Sequence, residues 1–310
     1  MTVSASVKRP LILFLNFLLL LCSGSAALAQ SINVDGRVRT YILHFPKDAK
    51  STQSMPLVIA LHGGGGDGIG MQGLTGFNHI SDANGFAVVY PDGIDKQWND
   101  GREDFHLNPD INDVKFISCL VDSLRSKYNI DSNRVYVTGM SNGATMTFRL
   151  ACELSYKFAA FAPVSNSLPV TSAYECKPNR PLPMFYIFGE DDPIVPYEGG
   201  DIKILGIGKR GKVLPVEETV NYWLRVDSCA AVPVESSLND KFDGTEVIQK
   251  SYSSQSQVNI FQYWLIKGAG HTWPGGSQYL PKAIIGRLCK EFNASEEIWK
   301  FFKTKSLNQD

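Results

Sequence analysis

The sequence lacks the features that mark several large classes of protein. Its 310 residues carry a net charge of −1, and no run of basic residues indicates binding to nucleic acid or to a membrane surface. None of its six cysteines stands in C-x-x-C spacing, which argues against a zinc or thiol-redox motif. Internal repeats and low-complexity linkers are also missing, so we expect a single folded domain.

The N-terminal segment has the layout of a secretory signal peptide. Lys8 and Arg9 precede an apolar run from Leu11 to Leu21, and Ala27-Leu28-Ala29 follows as a typical cleavage site. The run is well short of the roughly 20 residues that a transmembrane helix needs, so no stable membrane anchor is expected. The sequence therefore predicts a signal peptide over residues 1–29 and a secreted or periplasmic domain over residues 30–310.

The cysteines of the predicted mature chain are compatible with export. An oxidising compartment permits disulfides, and an odd number of cysteines leaves at least one free thiol or an intermolecular bridge. The spacing alone does not reveal the pairing. The cysteines concerned are Cys119, Cys152, Cys176, Cys229 and Cys289.

Strand-like and helix-like segments alternate along the mature chain. The predicted strands are 37–45, 56–61, 86–90, 135–138, 158–164, 184–188 and 258–266, and the predicted helices are 77–83, 113–128, 144–154, 216–226 and 295–303. This alternation predicts an α/β fold in which helices flank a mostly parallel central sheet. Residues 94–112 and 196–215 show neither pattern, and we expect them to form loops around an active site.

A nucleophile motif stands at the junction of one predicted strand and helix. Gly139-Met140-Ser141-Asn142-Gly143 matches G-x-S-x-G, and in this strand-to-helix context the motif predicts the sharp turn that presents a catalytic serine in α/β-hydrolases. A serine hydroxyl is a poor nucleophile until a neighbouring base takes its proton. Ser141 is therefore the predicted nucleophile of an acyl-transfer reaction.

The order of the motifs limits the choice of base and acid. In α/β-hydrolases the acid and then the histidine follow the serine, and of the five histidines only His271 lies after Ser141. The acid, which orients the histidine, is expected after the strand 184–188. Glu190, Asp191 and Asp192 all satisfy this placement, and the spacing does not choose among them.

Two backbone amides are candidates for the oxyanion hole. His62-Gly63-Gly64-Gly65-Gly66 follows the strand 56–61, where an H-G-G-G type loop supplies one donor. The second donor in this fold is the amide of the residue after the nucleophile. We therefore expect the N–H groups of Gly64 and Asn142 to bind the developing negative charge.

The same glycine-rich loop permits a different interpretation. Gly63, Gly65 and Gly68 satisfy the G-x-G-x-x-G pattern of dinucleotide-binding folds, and Asp92 ends the next strand as a candidate ribose ligand. This interpretation requires a helix that begins at Gly68, which the Gly68-Ile69-Gly70 sequence does not favour. It also leaves the motif around Ser141 without a role.

Four motifs together resemble those of the polyhydroxybutyrate depolymerase-like esterases, a family that includes bacterial feruloyl and acetylxylan esterases. They are HGGGG at His62–Gly66, GMSNG at Gly139–Gly143, DPIVPY at Asp192–Tyr197 and GHTWPGG at Gly270–Gly276. The resemblance implies an α/β-hydrolase fold of one domain. It also implies Asp192 as the acid of the triad, because the acid of this family directly precedes the proline of the third motif.

The remaining predictions concern the substrate and the partners of the chain. Trp98 and Trp273 lie near the motifs and are expected to stack on an aromatic acyl group or on a sugar. The resemblance implies a serine esterase without metal or cofactor that acts on feruloyl or acetyl esters of plant-polysaccharide fragments. A short-chain polyester depolymerase is the alternative with the same chemistry, and a non-catalytic carbohydrate-binding protein is a distant third. The oligomeric state is not predicted.

Overall fold

A computed structural model describes residues 29–48, 54–102, 110–206, 209–256 and 260–308 of the chain. The predicted signal peptide, apart from Ala29, lies outside the described residues. Within them, no helix is both long enough and apolar enough to cross a bilayer.

The described segments contain twelve strands and eight α-helices. The strands are β1 Gln30–Val34, β2 Arg37–His44, β3 Met55–Leu61, β4 Ala87–Pro91, β5 Ile130–Met140, β6 Ala160–Val164, β7 Met184–Gly189, β8 Gly200–Asp201, β9 Lys212–Val213, β10 Val234–Leu238, β11 Glu246–Tyr252 and β12 Phe261–Lys267. The helices are α1 Gly68–Thr75, α2 Phe77–Asn84, α3 Asp113–Lys127, α4 Asn142–Glu153, α5 Val170–Glu175, α6 Val216–Val226, α7 Lys282–Ile285 and α8 Ala294–Phe302.

Ten of these strands form one mixed sheet. Their order is β1-β2-β4-β3-β5-β6-β7-β12-β11-β10, and the six central strands from β4 to β12 run parallel. The strands at both edges pair in antiparallel fashion. Because the carboxyl ends of parallel strands meet at one edge of the sheet, the loops after β3, β5, β7 and β12 converge there. The predicted α/β fold is confirmed.

Burial on both faces explains why the central strands are apolar throughout. All six residues of β7 are buried: Tyr186 and Phe188 contribute to the core on one face, and Phe185 and Ile187 contribute to the core on the other. A strand covered by helices on both sides shows a continuous apolar run rather than alternation. This is why runs such as PLVIAL and MFYIF are recognisable in the sequence.

Different helices cover the two faces. Apolar residues of α3, α4 and α6 pack into the first core, whereas those of α2 and α8 pack into the second. In α8, Trp299 stacks on Phe86 with ring centroids 3.9 Å apart, and Phe302 stacks on Tyr136 at 4.8 Å. The last helix is therefore part of the core, and its apolar spacing was a reliable signal.

The glycine-rich stretch after β3 does open a helix, so the expectation against a helix at Gly68 was wrong. Asp67 caps α1 by accepting the N–H of Gly70 at 2.9 Å. The N–H of Gly68 donates to Asp92 Oδ1 at 2.7 Å, and Thr40 Oγ1 donates to Asp92 Oδ2 at 2.7 Å. Both carboxylate oxygens of Asp92 are thus occupied within the protein. Asp92, the candidate ribose ligand of the dinucleotide interpretation, instead holds the start of α1.

Four strands, β8 to β11, were missed by the sequence analysis. The β8–β9 hairpin lies inside 196–215, which was expected to be a loop, and β10 and β11 extend the sheet beyond β12. β10 has the sequence VESSL, and its first four residues are exposed. An edge strand with so little burial carries no apolar pattern, so its pairing with β11 rests on backbone hydrogen bonds.

A disulfide joins two of the helices on one side of the sheet. Cys152 near the end of α4 is bonded to Cys176 just after α5, whereas Cys119, Cys229 and Cys289 are free thiols. The Tyr222 hydroxyl donates to the Cys176 carbonyl at 2.7 Å, so that the end of α5 also contacts α6. The disulfide fits the predicted export of the chain, since such bonds persist in oxidising compartments.

One buried carboxyl predicts a pH-dependent stability. Asp227 is fully buried; its Oδ1 accepts the N–H of Leu182 at 2.6 Å, and no described group bonds its Oδ2. Burial raises the pKa of Asp227 to about 8, although the Arg180 charge opposes this. The folded chain therefore holds a proton that the unfolded chain releases above its ordinary pKa near 4.

We expect the free energy of unfolding to fall as the pH rises from about 4 to about 8, by at most about 1.4 kcal/mol per pH unit from this group. Asp227→Asn keeps an acceptor for the Leu182 N–H and cannot titrate. The unfolding free energy of this variant should therefore fall less steeply with pH. Denaturant unfolding of both proteins at pH 5 and pH 8 provides the measurement. Equal slopes in the two proteins would show that Asp227 is ionised in the folded state.

Candidate active site

Ser141 occupies a strained turn between β5 and α4. Its backbone has φ 56° and ψ −119°, a conformation that side-chain-bearing residues seldom adopt. A Cβ atom on Gly139 would lie 2.4 Å from the Gly143 carbonyl oxygen, and one on Gly143 would lie 2.3 Å from the Leu61 oxygen. The two glycines of the motif are therefore required by close backbone contacts. They allow the turn to present Ser141 above the end of the sheet.

His271 and Asp192 form a hydrogen-bonded pair at the same edge of the sheet. His271 Nδ1 donates to Asp192 Oδ2 at 2.7 Å, and both side chains are almost completely buried. The other oxygen of Asp192 accepts the N–H groups of Ile194 and Val195 at 2.8 and 2.9 Å. A carboxylate held in this way fixes the histidine tautomer with the proton on Nδ1 and leaves Nε2 free to act as a base. Of the three acidic residues that the spacing left open, Asp192 makes this contact.

Backbone contacts hold the loop that carries His271. The His271 N–H donates to the Ile285 carbonyl at 2.6 Å, and the Tyr279 hydroxyl donates to the His271 carbonyl at 2.9 Å. One residue further on, the Thr272 carbonyl accepts the Ser165 hydroxyl at 2.9 Å. The position of the imidazole thus rests on contacts from three separate segments.

Ser141, Gly64 and Asn142 line one cavity of about 50 Å³. The two residues predicted to form the oxyanion hole are therefore brought beside the predicted nucleophile. The remaining lining includes both polar and apolar side chains. They come from Gln97, Arg102, Asn166, Ile194, Ile202, Ile204 and Arg210.

The side chain of Asn142 is fixed on both sides by the loop that follows β4. Its Oδ1 accepts the Trp98 N–H at 2.8 Å, and its Nδ2 donates to Asp100 Oδ2 at 2.5 Å. Arg102 neutralises Asp100 with contacts from Nε and Nη2, the shorter of them 2.6 Å. This buried network anchors the first residue of α4 and so the direction of its backbone N–H.

His62 organises the loop that carries Gly64. Its Nε2 accepts the Gly93 N–H at 2.9 Å, and its Nδ1 donates to the Gly63 carbonyl at 2.8 Å. Burial lowers the pKa of His62 below its ordinary value, which keeps the ring neutral and Nε2 able to accept. His62 is therefore a structural hydrogen-bonding residue of this loop.

The two tryptophans predicted to stack on substrate do not line an open surface, and that expectation was wrong. Trp98 is 2% exposed; its indole N–H donates to the His62 carbonyl at 2.8 Å. Trp273 is fully buried, and its indole N–H donates to Ser295 Oγ at 3.0 Å. Each ring is packed beneath a loop of the site, because burying a large aromatic surface stabilises such loops. Trp98 supports the loop that carries Gly64, and Trp273 lies under the loop that carries His271.

Sequence reasoning missed several residues at the cavity. Gln97 and Arg102 lie in 94–112, where only a loop was expected, and Arg210 lies in 196–215. The spacing of residues gives no signal for them, because they lie in irregular loops whose backbone path is not predicted from a sequence pattern. In the described part of the chain, no three His, Cys, Asp or Glu side chains are grouped so as to hold a metal ion.

Comparisons with known proteins agree with this geometry. The family model described as "Esterase PHB depolymerase" matches residues 39–168. A protein named as the putative esterase NocK of Nocardia uniformis subsp. tsuyamanensis is 31% identical over 285 residues, which cover 86% of this chain and 80% of that protein. The bifunctional acetylxylan esterase/xylanase XynS20E of Neocallimastix patriciarum is 30% identical over 156 residues, which cover 50% of this chain but only 22% of that longer protein.

A solved structure shows the same fold. The acetyl xylan esterase from Aspergillus awamori superimposes with a TM-score of 0.59 over 89% of this chain and 99% of its own, at 17% sequence identity. The dinucleotide interpretation has no support in these relationships. The chain belongs to the esterase family that includes the polyhydroxybutyrate depolymerases, and it is a serine ester hydrolase with an α/β-hydrolase fold.

Proposed function

We propose that this chain is a secreted esterase in which Ser141, His271 and Asp192 act as a catalytic triad on ester groups of plant-polysaccharide fragments. The observation that carries the proposal is the strained turn that places Ser141 in one cavity with the backbone of Gly64 and Asn142. The hydrogen-bonded pair of His271 and Asp192 supports it further.

The reaction proceeds by two acyl transfers. Ser141 Oγ attacks the ester carbonyl carbon while His271 Nε2 takes its proton, and the N–H groups of Gly64 and Asn142 bind the resulting oxyanion. The bond to the alcohol breaks as His271 returns the proton to the leaving oxygen. Water then attacks the acyl-serine with His271 again as base, and the acid is released from Ser141. Asp192 holds the imidazole and stabilises its protonated form.

Variants of the triad test this assignment directly. We expect Ser141→Ala to lower kcat/KM for p-nitrophenyl acetate by at least about 10⁴-fold, and Asp192→Asn by about 10⁴-fold, because the amide no longer favours the required tautomer of His271. Asp191→Asn changes an exposed neighbouring carboxylate and is the matched control, which should keep the activity of the unmodified enzyme. If Ser141→Ala retains the parental rate, the proposed nucleophile is wrong.

The size of the cavity favours a short acyl group. A cavity holds one water from roughly 10–15 Å³ upward, so a cavity of about 50 Å³ is of a size that suits an acetyl group better than a larger acyl group. Ile194 and Ile202 are buried residues of its apolar wall. Acetyl esters of polysaccharide fragments are therefore the proposed substrates ahead of feruloyl esters and of hydroxybutyrate oligomers, whose acyl units are larger.

An acyl series with a constant alcohol tests this preference. We expect kcat/KM to fall from p-nitrophenyl acetate to the butyrate and to the ferulate. Ile202→Ala enlarges the cavity and should lower the ratio of kcat/KM for the acetate to kcat/KM for the butyrate by about tenfold. Ile69→Ala changes an isoleucine that is 71% exposed, and it should leave this ratio unchanged. Faster hydrolysis of the ferulate than of the acetate would contradict the acetyl assignment. Cleavage of hydroxybutyrate oligomers with no sugar acetate hydrolysed would support the polyester depolymerase instead.

Export is part of the proposal. The first strand begins at Gln30, the first residue of the predicted mature chain, and the Gln30 side chain accepts the Tyr41 hydroxyl at 3.1 Å. The folded sheet therefore starts directly after the proposed cleavage site at Ala29. The disulfide between Cys152 and Cys176 also favours an oxidising compartment.

Mass spectrometry of the exported protein tests the cleavage site. We expect the full-length chain, expressed in a secreting bacterial host, to leave the cytoplasm and to begin at Gln30 or at its cyclised form. Ala29→Lys removes the small residue that the peptidase requires and should leave the precursor uncleaved. A protein that stays in the cytoplasm with its first 29 residues intact would overturn the export proposal.

A further inference from the structure

Tyr279 is attached to the backbone of His271. Its hydroxyl donates to the His271 carbonyl oxygen at 2.9 Å, so the phenol lies within a few bond lengths of the imidazole. Burial raises the pKa of the Tyr279 hydroxyl, and the nearby Asp192 carboxylate raises it further. The phenol is therefore a neutral donor at neutral pH.

The rest of the Tyr279 side chain is open to solvent. The residue is 42% exposed although its hydroxyl is engaged, and Leu280 beside it is 43% exposed. The same segment is held by Gln278, whose side-chain amide donates to the carbonyls of Leu280 and Gly286 at 2.8 and 3.1 Å. An aromatic ring and an aliphatic side chain are thus presented on a fixed loop next to His271. Trp98 and Trp273, in contrast, have no free ring face.

Its contact with His271 relates Tyr279 to the alcohol side of the proposed reaction. In that reaction the leaving oxygen takes its proton from His271, so the group attached to that oxygen departs past the imidazole. The proposed acyl site is the cavity lined by Ser141 and Ile202, and Tyr279 is not among the residues that line it. Sugar rings have apolar C–H faces that pack against aromatic rings, and a tyrosine with an anchored hydroxyl offers such a face with little loss of side-chain entropy.

We propose that Tyr279 is a specificity-determining residue whose anchored ring contacts the sugar ring of the leaving alcohol. This inference rests on the proposed function, because it assumes that the ester is hydrolysed with Ser141 and His271. It assigns selectivity for the alcohol to the loop after His271, whereas selectivity for the acyl group belongs to the cavity.

Two substrates with the same acyl group test the proposal. Methyl acetate has an alcohol too small to reach the ring, whereas mono-acetylated xylobiose has a sugar alcohol. Tyr279→Ala should raise KM for the sugar acetate by about three- to tenfold and leave KM for methyl acetate unchanged. Tyr279→Leu also lacks the ring but keeps an apolar side chain in the loop, and it should show the same loss of selectivity.

Tyr279→Phe separates the ring from the hydroxyl. It should keep the parental KM for the sugar acetate and lower kcat for both substrates to the same extent, because only the contact with the His271 carbonyl is lost. Tyr156→Ala removes a tyrosine that is 58% exposed elsewhere on the surface, and it is the matched control.

The outcomes separate the inference from the function on which it rests. If Tyr279→Ala and Tyr279→Leu change KM by the same factor for both substrates, or change KM for neither, the ring does not contact the alcohol and the inference is overturned. If the unmodified enzyme hydrolyses neither ester, or if Ser141→Ala hydrolyses both at the parental rate, the proposed function fails and the inference fails with it. Loss of selectivity for the sugar acetate in both variants, with Tyr279→Phe retaining it, establishes the contact.

Discussion

The close contact between the turn at Ser141 and the end of β3 is the constraint on which the rest of the site depends. Gly143 packs so tightly against the carbonyls of Leu61 and His62 that no side chain fits at that position. This contact brings the start of α4 beside the loop that leaves β3. Gly64 and Asn142 therefore come from two different elements and still line one cavity. In the proposed mechanism their N–H groups are a preorganised pair of donors, and such a pair stabilises negative charge without further rearrangement.

Buried polar groups hold this arrangement, and each needs a partner because unpaired buried charges are costly. Asp100 is paired with Arg102 and also accepts from Asn142, so that one ion pair fixes the start of α4. Asp113, at the start of α3, accepts from Arg39 at 2.6 Å and from the Asn99 N–H at 2.7 Å. The first part of the loop after β4 is thus attached to the start of α3 through Asn99 and to the start of α4 through Asp100.

Sequence analysis predicted correctly the helices and strands whose apolar residues recur with the period of the element and are buried in the fold. Predicted helix 216–226 coincides with α6, and the motif around Ser141 stands at the junction of β5 and α4. β10 was not predicted, because an exposed edge strand has no apolar periodicity. The helix at Gly68 was missed because its start depends on a tertiary contact with Asp92 rather than on helix propensity.

Within the site, the limits of prediction have a similar physical origin. Order along the chain led to Ser141 and His271, but it left three acids open, and only the resemblance to a known family selected Asp192. Trp98 was expected to contact substrate because it is an aromatic residue in a polar loop. Such a residue either stacks on a ligand or is buried beneath the loop. The path of the loop backbone decides between these two outcomes, and the residue type does not reveal that path.

The arrangement of the loops divides recognition of an ester between separate elements. The proposed acyl cavity is lined by Ile194 and Ile202 after β7, whereas Tyr279 belongs to the loop after β12. His271 donates from its imidazole to Asp192 and from its backbone N–H to Ile285. These two contacts involve neither the aromatic ring of Tyr279 nor the side chain of Ile202, so under the proposed function either side chain can change while both contacts persist. A family with one catalytic mechanism and several ester substrates follows naturally from such a division.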